Sequence, residues 1–299
     1  MKTHQIFCSF VILCHILTVT STPRCIADEN ITINCGFSSN SKAIDEREWI
    51  GDIGSKFAPT EEPNHKSNTF TAEIQGTFVA VPYMTARLSN WQFTYVFPVT
   101  PGPKFVWLYF YSASYSGFER SKDFFTVKVG SFTLLANFSA SILANSPGPS
   151  NNIYKEFCIN VDKSQKLNLT FIPFYSNYYA FINGIETVFM PEDLYYRPHS
   201  VANGEELVPL YVSQAPKFYI NDSMALEMVY RLNVGGGSIS PKEDTGMFRQ
   251  WSDGTDYLLS EGVNPRLVSM TLHYLHIPNY TAPDAVCLQF QWAQTALGT

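Results

Sequence analysis

Residues of the types that perform catalysis are present, but their spacing forms no recognised catalytic arrangement. His273 and His276 are three residues apart in the strand-like segment MTLHYLHI. Because side chains alternate between the two faces of a strand, this odd spacing directs the imidazoles to opposite faces and disfavours a shared metal ion. Glu186, Glu192 and Asp193 lie close together in the sequence, but glycoside hydrolysis needs two carboxylates paired across a cleft, and no pattern pairs them.

Signatures of hydrolases, metalloproteases and nucleotide-binding proteins are also absent, since the chain contains no GxSxG, no HExxH and no Walker loop. The glycine run at 235–237 lacks the Gly-Lys-Ser/Thr that completes a phosphate-binding loop, and it fits a turn at the end of a strand better. We therefore predict that the chain is not an enzyme and has no catalytic residue, no metal site and no cofactor.

Aromatic side chains are the residues whose chemistry favours binding, and they make up 15% of the chain. Sugars stack their C–H faces on Tyr or Trp rings, while nearby polar groups hold the sugar hydroxyls. The principal candidate ligand-binding residues are Tyr115, Phe118, Tyr175 and Tyr178 in predicted loops, with Tyr111 at the end of a predicted strand. Tyr109 and Tyr179, also in predicted strands, are further candidates for sugar stacking. For the strand tyrosines core packing is the favoured interpretation, and for the loop residues a surface role and a packing role both stay open.

Charge patterning favours structural roles and excludes one class of partner. The net charge is −6 and the 20 Lys and Arg residues are scattered, so nothing attracts nucleic acid. Arg87, and Arg47 with Asp52, are predicted to form structural ion pairs rather than ligand contacts.

The N-terminus predicts secretion. Lys2 and His4 precede an apolar run from Ile6 to Val19, which small polar residues follow. A membrane span needs roughly 20 apolar residues, so this shorter run is typical of a signal peptide, here residues 1–22. Five Asn-x-Ser/Thr sequons predict N-glycosylation at Asn30, Asn137, Asn168, Asn221 and Asn279.

Four cysteines remain beyond the signal peptide: Cys25, Cys35, Cys158 and Cys287. Four cysteines permit three pairings, and sequence alone does not choose among them. As a working hypothesis, a Cys35–Cys158 disulfide ties the N-terminal strand to the body of the domain.

Short β-branched and aromatic runs bounded by turn residues recur along the chain, with almost no helical periodicity. The central run, Phe105–Tyr111, is predicted to be a strand covered on both faces. Asn183-Gly184 lies between two apolar runs and predicts a hairpin with a type I′ turn. The pattern indicates an all-β fold, a β-sandwich or jelly roll.

An internal repeat divides the chain. Ile33-Asn-Cys-Gly36 followed by Arg47-x-Trp49 has a counterpart in Leu232-Asn-Val-x-Gly236 followed by Arg249-x-Trp251. Repeats signal duplicated units. We predict a first unit at 23–200, a linker at 201–224 and the opening part of a second unit at 225–299.

These and further segments carry a resemblance to a known family. They include Tyr83-Met-Thr-Ala-Arg87, Pro101–Phe110, Phe125-Thr-Val127, Thr133–Ser139, Lys155-Glu-Phe157, Tyr179–Glu186, Tyr230–Gly236, Met247–Trp251, Asp256-Tyr257 and Asn279–Pro283. In this order, from about Ile31 to Pro283, they resemble the extracellular region of the malectin-like receptor kinases of plants, the FERONIA-type group.

The resemblance implies tandem malectin-like β-sandwich domains outside the cell, where such receptors are thought to sense cell-wall polysaccharide. It also implies binding of secreted peptides together with a membrane-anchored co-receptor. In relatives a membrane span and a cytoplasmic Ser/Thr kinase follow, and this chain ends before them.

Two functions are therefore carried forward. The first is a non-enzymatic extracellular recognition module for cell-wall carbohydrate or a secreted peptide. The second is a secreted scaffold or decoy that pairs with full-length receptors, because a partial second unit would leave apolar surface uncovered.

Overall fold

The structure is a computed structural model that describes most of the chain between residues 30 and 293. The described residues are 30–73, 80–146, 151–192, 194–196, 201–202, 205–206, 210–211, 218–220, 222–257, 263–267, 272–274 and 278–293. The predicted signal peptide at 1–22 and the predicted sequon at Asn221 lie outside them.

Strands dominate the described residues, which confirms the all-β prediction. In chain order the strands are β1 (Asn30–Asn34), β2 (Ser41–Lys42), β3 (Glu48–Gly51), β4 (Thr60–Glu61), β5 (Asn68–Thr71), β6 (Thr85–Ser89), β7 (Phe93–Pro98), β8 (Gly102–Tyr111), β9 (Phe125–Val129), β10 (Phe132–Phe138), β11 (Asn152–Val161), β12 (Lys166–Pro173), β13 (Ala180–Ile182), β14 (Gly184–Phe189), β15 (Val201–Ala202), β16 (Glu205–Glu206), β17 (Leu210–Tyr211), β18 (Phe218–Tyr219), β19 (Leu226–Glu227), β20 (Leu232–Asn233), β21 (Ser252–Asp253), β22 (Val263–Leu267) and β23 (Gln289–Ala293). The helices are short: α1 (Ala140–Ala144), α2 (Asp284–Cys287) and the 3₁₀ helices η1 (Arg120–Lys122), η2 (Pro241–Glu243) and η3 (Thr255–Tyr257). In the described part of the chain, no helix combines the length and apolar character that a membrane crossing requires.

Strand β8 is an interior strand of the seven-stranded sheet and contains the predicted central run. It pairs antiparallel with β11 on one side and with β14 on the other. Val106, Leu108 and Phe110 point into the main core, and Phe105 and Trp107 point into a second apolar cluster on the opposite face. The prediction of a strand covered on both faces is confirmed.

The main core lies between two packed sheets. The seven-stranded sheet has the order β19-β11-β8-β14-β1-β3-β2, and the five-stranded sheet has the order β10-β9-β12-β7-β4. Aromatic rings from both sheets fill the space: Phe93 stacks on Phe171 with centroids 4.9 Å apart, and Phe110 meets Phe138 at 4.8 Å. Burying such rings removes a large apolar area from water, which is the main stabilising contribution.

The second unit packs on the outer face of the seven-stranded sheet. Met247 and half-buried Phe248 join the cluster of Phe105 and Trp107, and β19 pairs with the edge of β11. One carboxylate connects the units, because Glu156 accepts hydrogen bonds from Trp107 Nε1 at 3.0 Å and from Arg231 Nη2 at 2.5 Å. The boundaries proposed above for the two units stay predictions.

The internal repeat is visible in strand pairing. In the first unit β1 pairs parallel with β3, with Ile33 opposite Ile50. In the second unit β20 pairs parallel with β21, with Leu232 opposite Ser252. Ile50 and Ser252 each directly follow the repeat tryptophan, and each pairs with the first residue of its repeat segment. The two opening segments therefore adopt the same local structure.

Arg87 and Arg47 both form structural ion pairs as predicted, but Arg47 pairs with other carboxylates than the predicted one. Arg87 Nε contacts Asp52 at 2.7 Å, and the same carboxylate accepts hydrogen bonds from Tyr95 Oη at 2.6 Å and from the Gly36 amide at 2.8 Å. Arg47 contacts Asp45 and Glu186 instead of Asp52.

The predicted hairpin around Asn183-Gly184 is wrong. β13 pairs with β6 in a separate three-stranded sheet, whereas β14 pairs with β8 and β1. The chain therefore passes between sheets at Asn183 rather than reversing. Gly184 is required for close packing instead of a turn, since a Cβ there would lie 2.4 Å from Pro82 Cγ.

The predicted Cys35–Cys158 disulfide is also wrong, because both cysteines are free and buried. Cys35 directly follows β1 and Cys158 lies in β11, with β8 and β14 between those strands in the sheet. Three strand spacings amount to about 14 Å, and a disulfide needs Cα atoms within about 7 Å. The two thiols also belong to clusters on opposite faces of the sheet.

Candidate functional site

Two of the five principal ligand-binding candidates, Tyr111 and Tyr115, are buried, as core packing of Tyr111 would require and against a surface role for Tyr115. Their exposed fractions are 5% and 2%. The loop after β8 folds inward, so Tyr115 donates a hydrogen bond to the Tyr111 carbonyl over 3.0 Å. Asn183 Nδ2 donates to the Tyr115 hydroxyl from the same distance. Both tyrosines therefore belong to the buried hydrogen-bond network at the end of β8.

The other three predicted aromatics lie near the surface in different degrees. Phe118 is half-buried and packs edge-on against Phe70 and Tyr179. Tyr178 is half-buried, and Tyr175 is 65% exposed. Tyr175 and Tyr178 both contact Phe174. We call Phe174, Tyr175 and Tyr178 the loop cluster.

A cavity of about 510 Å³ lies elsewhere, between the two units. We call it the aromatic cleft. Its first-unit wall is formed by Ala43, Ile44, Asp45, Arg47, Trp49, Ala80, Val81, Pro82, Tyr83, Trp107, Tyr109, Asn152 and Tyr154, and its second-unit wall by Ser240, Pro241, Lys242, Phe248 and Gln250. Ligand sites commonly combine an apolar lining with a few polar groups in a volume of this size.

Strand periodicity positions the aromatic floor of the cleft. Trp107 and Tyr109 are two residues apart on β8 and therefore share its outer face. Tyr154 on β11 is directly opposite Tyr109. Trp49 and Tyr83 each meet the Tyr109 ring edge-to-face, with centroids 5.4 and 5.7 Å away. Such contacts fix ring orientation and contribute about 1 kcal/mol each beyond their buried area.

The charged groups at the cleft neutralise one another. Arg47 forms a short ion pair through Nη1 with Glu186 and a 2.6 Å contact through Nε with Asp45. Tyr109 donates a 2.8 Å hydrogen bond to Glu186. Burial raises the pKa of Glu186, while Arg47 and Tyr109 act to lower it. With its cation and carboxylate both engaged, this arrangement suits recognition rather than proton transfer.

Arg47 also joins the units, because its guanidinium carbon lies 4.3 Å from the centroid of the Phe248 ring. A cation over an aromatic face is attracted by the ring quadrupole. Lys242 Nζ adds an exposed 3.4 Å contact with Glu46, which contributes little because water screens it. The cleft is thus closed on one side by contacts that cross between the units.

One polar atom in the cleft floor lacks a partner. Trp49 is 1% exposed, and its Nε1 makes no hydrogen bond. Among the described residues, Asn233 Oδ1 is the other buried side-chain polar atom without a partner. Leaving such a donor unsatisfied costs about 1–3 kcal/mol.

Comparisons with known proteins agree with the fold and identify the family. The profile of the Malectin-like domain family matches residues 33–294. The chain belongs to the malectin-like family.

Its curated relatives are receptor kinases much longer than this malectin-like chain. It is 42% identical over 262 residues to the receptor-like protein kinase FERONIA of Arabidopsis thaliana, a match that covers 85% of this chain and 28% of FERONIA. It is 30% identical over 267 residues to ANXUR1 of the same plant, covering 85% and 29%. The malectin-like chain therefore spans less than a third of these relatives.

Solved structures show the same architecture. The crystal structure of the receptor-like kinase FER superposes with a TM-score of 0.74 at 42% identity, covering 87% of this chain and 64% of that one. The ANXUR1 extracellular domain superposes with a TM-score of 0.75 at 29% identity, covering 87% and 66%. A crystal structure of the peptide RALF23 with FER and LLG2 superposes with a TM-score of 0.71 at 39% identity, covering 88% and 65%. The matched region is a non-catalytic malectin-like ectodomain module.

In this malectin-like chain no group of three or more His, Cys, Asp or Glu side chains could hold a metal ion, as far as the described residues extend. Of the predicted sequons, Asn30, Asn137 and Asn168 are exposed and Asn279 is half-buried.

Sequence reasoning did not find the aromatic cleft as a site. Tyr109 was considered for sugar stacking, and Arg47 was noticed as a repeat marker and a structural ion-pair residue. Trp49 was noticed only as a repeat marker, and Trp107 only as part of an apolar strand. The sequence signal that could have revealed the cleft was the pair of large aromatics at alternate positions of β8, Trp107 and Tyr109. Residues at alternate positions share one face of a strand, and the second unit covers only part of this outer face.

Proposed function

We propose that this chain is the extracellular recognition module of a receptor-kinase-type protein, located at the plasma-membrane surface, and that the aromatic cleft seats its ligand. The observation that carries the proposal is the aromatic lining of a cavity of about 510 Å³, in which Trp107, Tyr109 and Tyr154 share one sheet face. Edge-to-face contacts with Trp49 and Tyr83 hold the Tyr109 ring in place, and a pre-organised site loses less entropy on binding.

A secreted peptide with a membrane-anchored co-receptor is one ligand class. It is supported by the relative FER, whose crystal structure contains the peptide RALF23 and LLG2 and superposes on this chain with a TM-score of 0.71. Apolar side chains of a peptide fit against rings such as Tyr83 and Phe248.

A cell-wall sugar chain is the other ligand class that the lining suits. Tyr83, Tyr109 and Tyr154 supply rings for sugar C–H faces together with hydroxyl groups. Since Arg47 is already engaged with Asp45 and Glu186, the cleft holds no excess positive charge there. A neutral sugar chain therefore fits better than an acidic one.

The test is a binding measurement on glycosylated, secreted protein. Immobilised protein is offered RALF23 with and without LLG2, and separately neutral glucan and pectin oligosaccharides. Tyr83→Ala is expected to weaken binding of the cleft ligand by roughly tenfold, because an aromatic contact contributes about 1 kcal/mol or more. Tyr175→Ala, in the loop cluster, is the matched control and is expected to bind normally.

Two results would overturn the proposal. If folded protein retains none of these ligands, the recognition function is wrong. If Tyr175→Ala loses binding while Tyr83→Ala retains it, the ligand seat is the loop cluster rather than the cleft.

A second candidate function, a scaffold or decoy that pairs with full-length receptors, is favoured by apolar side chains on the second unit. Val229 is 67% exposed, Tyr230 66%, and Val234 and Tyr257 50% each. Exposed apolar surface of this kind marks an association site. Light scattering after size exclusion tests it, and a monomer that does not associate with a relative's ectodomain would contradict it.

A further inference from the structure

The internal repeat allows the second unit to be compared with the first, position by position. β1 pairs parallel with β3 in the first unit and β20 pairs parallel with β21 in the second, with Ile33 and Leu232 at equivalent positions. The turns that follow also match, since Gly36 and Gly235 have positive φ angles of 78° and 87°. The first unit therefore shows which surroundings a strand of this kind has inside a sandwich.

The edge of β20 is the first difference between the units. In the first unit β1 lies between two neighbours, β3 on one side and β14, antiparallel over Asn30–Asn34, on the other. Among the described residues β20 pairs with β21 alone. Unpaired N–H and C=O groups along a strand edge are a template for pairing with another strand.

The apolar face of the same segment is the second difference. In the first unit Ile33 and Cys35 are fully buried in the main core. Leu232 and Val234 hold the equivalent positions in the second unit, where Leu232 is half-buried and Val234 is 50% exposed. Tyr230, two residues before Leu232 in the chain, is 66% exposed. The side of β20 that corresponds to a core face is therefore largely uncovered.

A buried asparagine shows the same difference in its hydrogen bonds. Asn34 is 2% exposed, and Thr85 Oγ1 of β6 lies 3.3 Å from its Oδ1 and 2.9 Å from the Cys35 carbonyl oxygen. Asn233 holds the equivalent position at the end of β20 and is 1% exposed, but its Oδ1 has no partner. Within the described part of the second unit, nothing supplies the hydroxyl that β6 supplies in the first.

The described strands of this chain have other partners. β14 is paired with β8 on one side and with β1 on the other, which argues against a second copy of the chain as the source of a strand. β22 and β23 pair with each other over five residues. A longer relative contains further polypeptide, because the superposition covers only 64% of the FER chain in its crystal structure.

We propose that Tyr230, Leu232 and Val234, with the free edge of β20, form a docking surface for strands from the second unit of a longer malectin-like ectodomain. The partner contributes an apolar strand that runs antiparallel along β20, as β14 does along β1, and a Ser or Thr hydroxyl for Asn233 Oδ1. In strand addition of this kind main-chain hydrogen bonds provide affinity and alternate side chains provide specificity. The inference rests on the second candidate function, pairing with receptors, and gives that pairing a surface and a geometry.

The test is co-expression in secreting cells of the full chain with a tagged fragment of FER, the part that lies outside the superposed region. Capture through the tag is expected to recover the chain, and hydrogen exchange is expected to slow at the amides of 230–234 in the complex. Val234→Lys is expected to lower recovery at least roughly tenfold, because an ammonium group would be buried against apolar side chains.

Ile142→Lys is the matched control, because Ile142 is an aliphatic side chain that is 56% exposed on α1 of the first unit. This variant is expected to be recovered like the wild-type chain. Near-ultraviolet circular dichroism of each variant alone checks that it is folded. Failure to recover the wild-type chain, or equal recovery of Val234→Lys and Ile142→Lys, would overturn the inference.

Two further measurements separate this surface from other outcomes. Light scattering of the chain alone tests for a second copy, and a dimer that Val234→Lys dissociates would overturn the assignment to a longer partner. Binding to the intact FER ectodomain tests receptor pairing itself. Binding that Val234→Lys leaves unchanged would leave the pairing in place and overturn only the surface assigned to it.

Discussion

Asn183 Nδ2 donates to the Tyr115 hydroxyl at 3.0 Å, where the chain passes from one sheet to another. The same amide nitrogen lies 2.8 Å from the Thr85 carbonyl, and Asn183 Oδ1 accepts from the Tyr111 amide at 2.7 Å. Asn183 is 0% exposed. One side chain therefore satisfies buried groups from three neighbouring segments.

Asn183→Ala is expected to lower the free energy of unfolding by about 2–4 kcal/mol. The reason is that it leaves at least two buried polar groups without partners, at about 1–3 kcal/mol each. Urea unfolding measures the change. Asn177→Ala, at an exposed position, is the control and is expected to be neutral. An equally small effect for both would show that Asn183 does not hold the junction.

Trp49→Phe and Trp107→Phe are expected to differ although the chemical change is the same. Trp49 Nε1 is buried and has no partner among the described residues, so its removal leaves stability nearly unchanged. Trp107 Nε1 donates to buried Glu156 at 3.0 Å, so its removal costs about 1–3 kcal/mol. Urea unfolding of both variants measures the two changes. A stability loss in Trp49→Phe as large as that in Trp107→Phe would contradict the difference between the two indoles.

Gly184→Ala is expected to destabilise the protein by about 1–3 kcal/mol, the usual cost of overpacking. The new Cβ would lie 2.4 Å from Pro82 Cγ and 3.0 Å from Trp49 Cζ3, which forces the cleft floor to move. At Gly254 the nearest atom to a new Cβ is 3.7 Å away, so Gly254→Ala is the matched control. Thermal unfolding compares the two variants, and equal midpoints would argue against the close approach.

The pH dependence of stability reports on Glu186. Burial raises its pKa in the folded protein, above the ordinary value of about 4.3. A carboxyl with a raised pKa contributes stability that is present below the unfolded pKa and is lost as pH rises through the folded pKa. Relative to Glu186→Gln, the wild-type protein is therefore expected to lose stability as pH rises from about 4 through the folded pKa.

Urea unfolding at a series of pH values measures this difference, with exposed Glu119→Gln as the control. Parallel profiles for wild type and Glu186→Gln would mean that Arg47 and Tyr109 fully offset the burial.

Thiol labelling tests the absence of a Cys35–Cys158 bond. In denatured, unreduced protein both cysteines are expected to react with iodoacetamide, and in folded protein both are expected to be protected because they are buried. Peptide mapping by mass spectrometry assigns the labels. A disulfide-linked peptide containing both residues would contradict the sheet order described here.

Alternation and turn chemistry were sufficient to predict the central strand Phe105–Tyr111, because apolar runs bounded by turn residues follow local geometry. The same reasoning predicted a hairpin at Asn183-Gly184, where β13 and β14 instead join different sheets. Local preference for a turn was overridden by Asn183 hydrogen bonds and by packing of Gly184 on Pro82. Loop position likewise did not reveal that Tyr115 is buried.

By itself the amino-acid sequence determined the all-β class, the repeat, the sequons and the family, because each is written in neighbouring residues or in motif order. The tertiary structure alone decided the place of the aromatic cleft, the partner of Arg47 and the separation of Cys35 from Cys158. Those features depend on which strands become neighbours and on the second unit covering one sheet face. Contacts between residues more than 100 positions apart, such as Arg47 with Glu186, leave no local pattern from which they could be read.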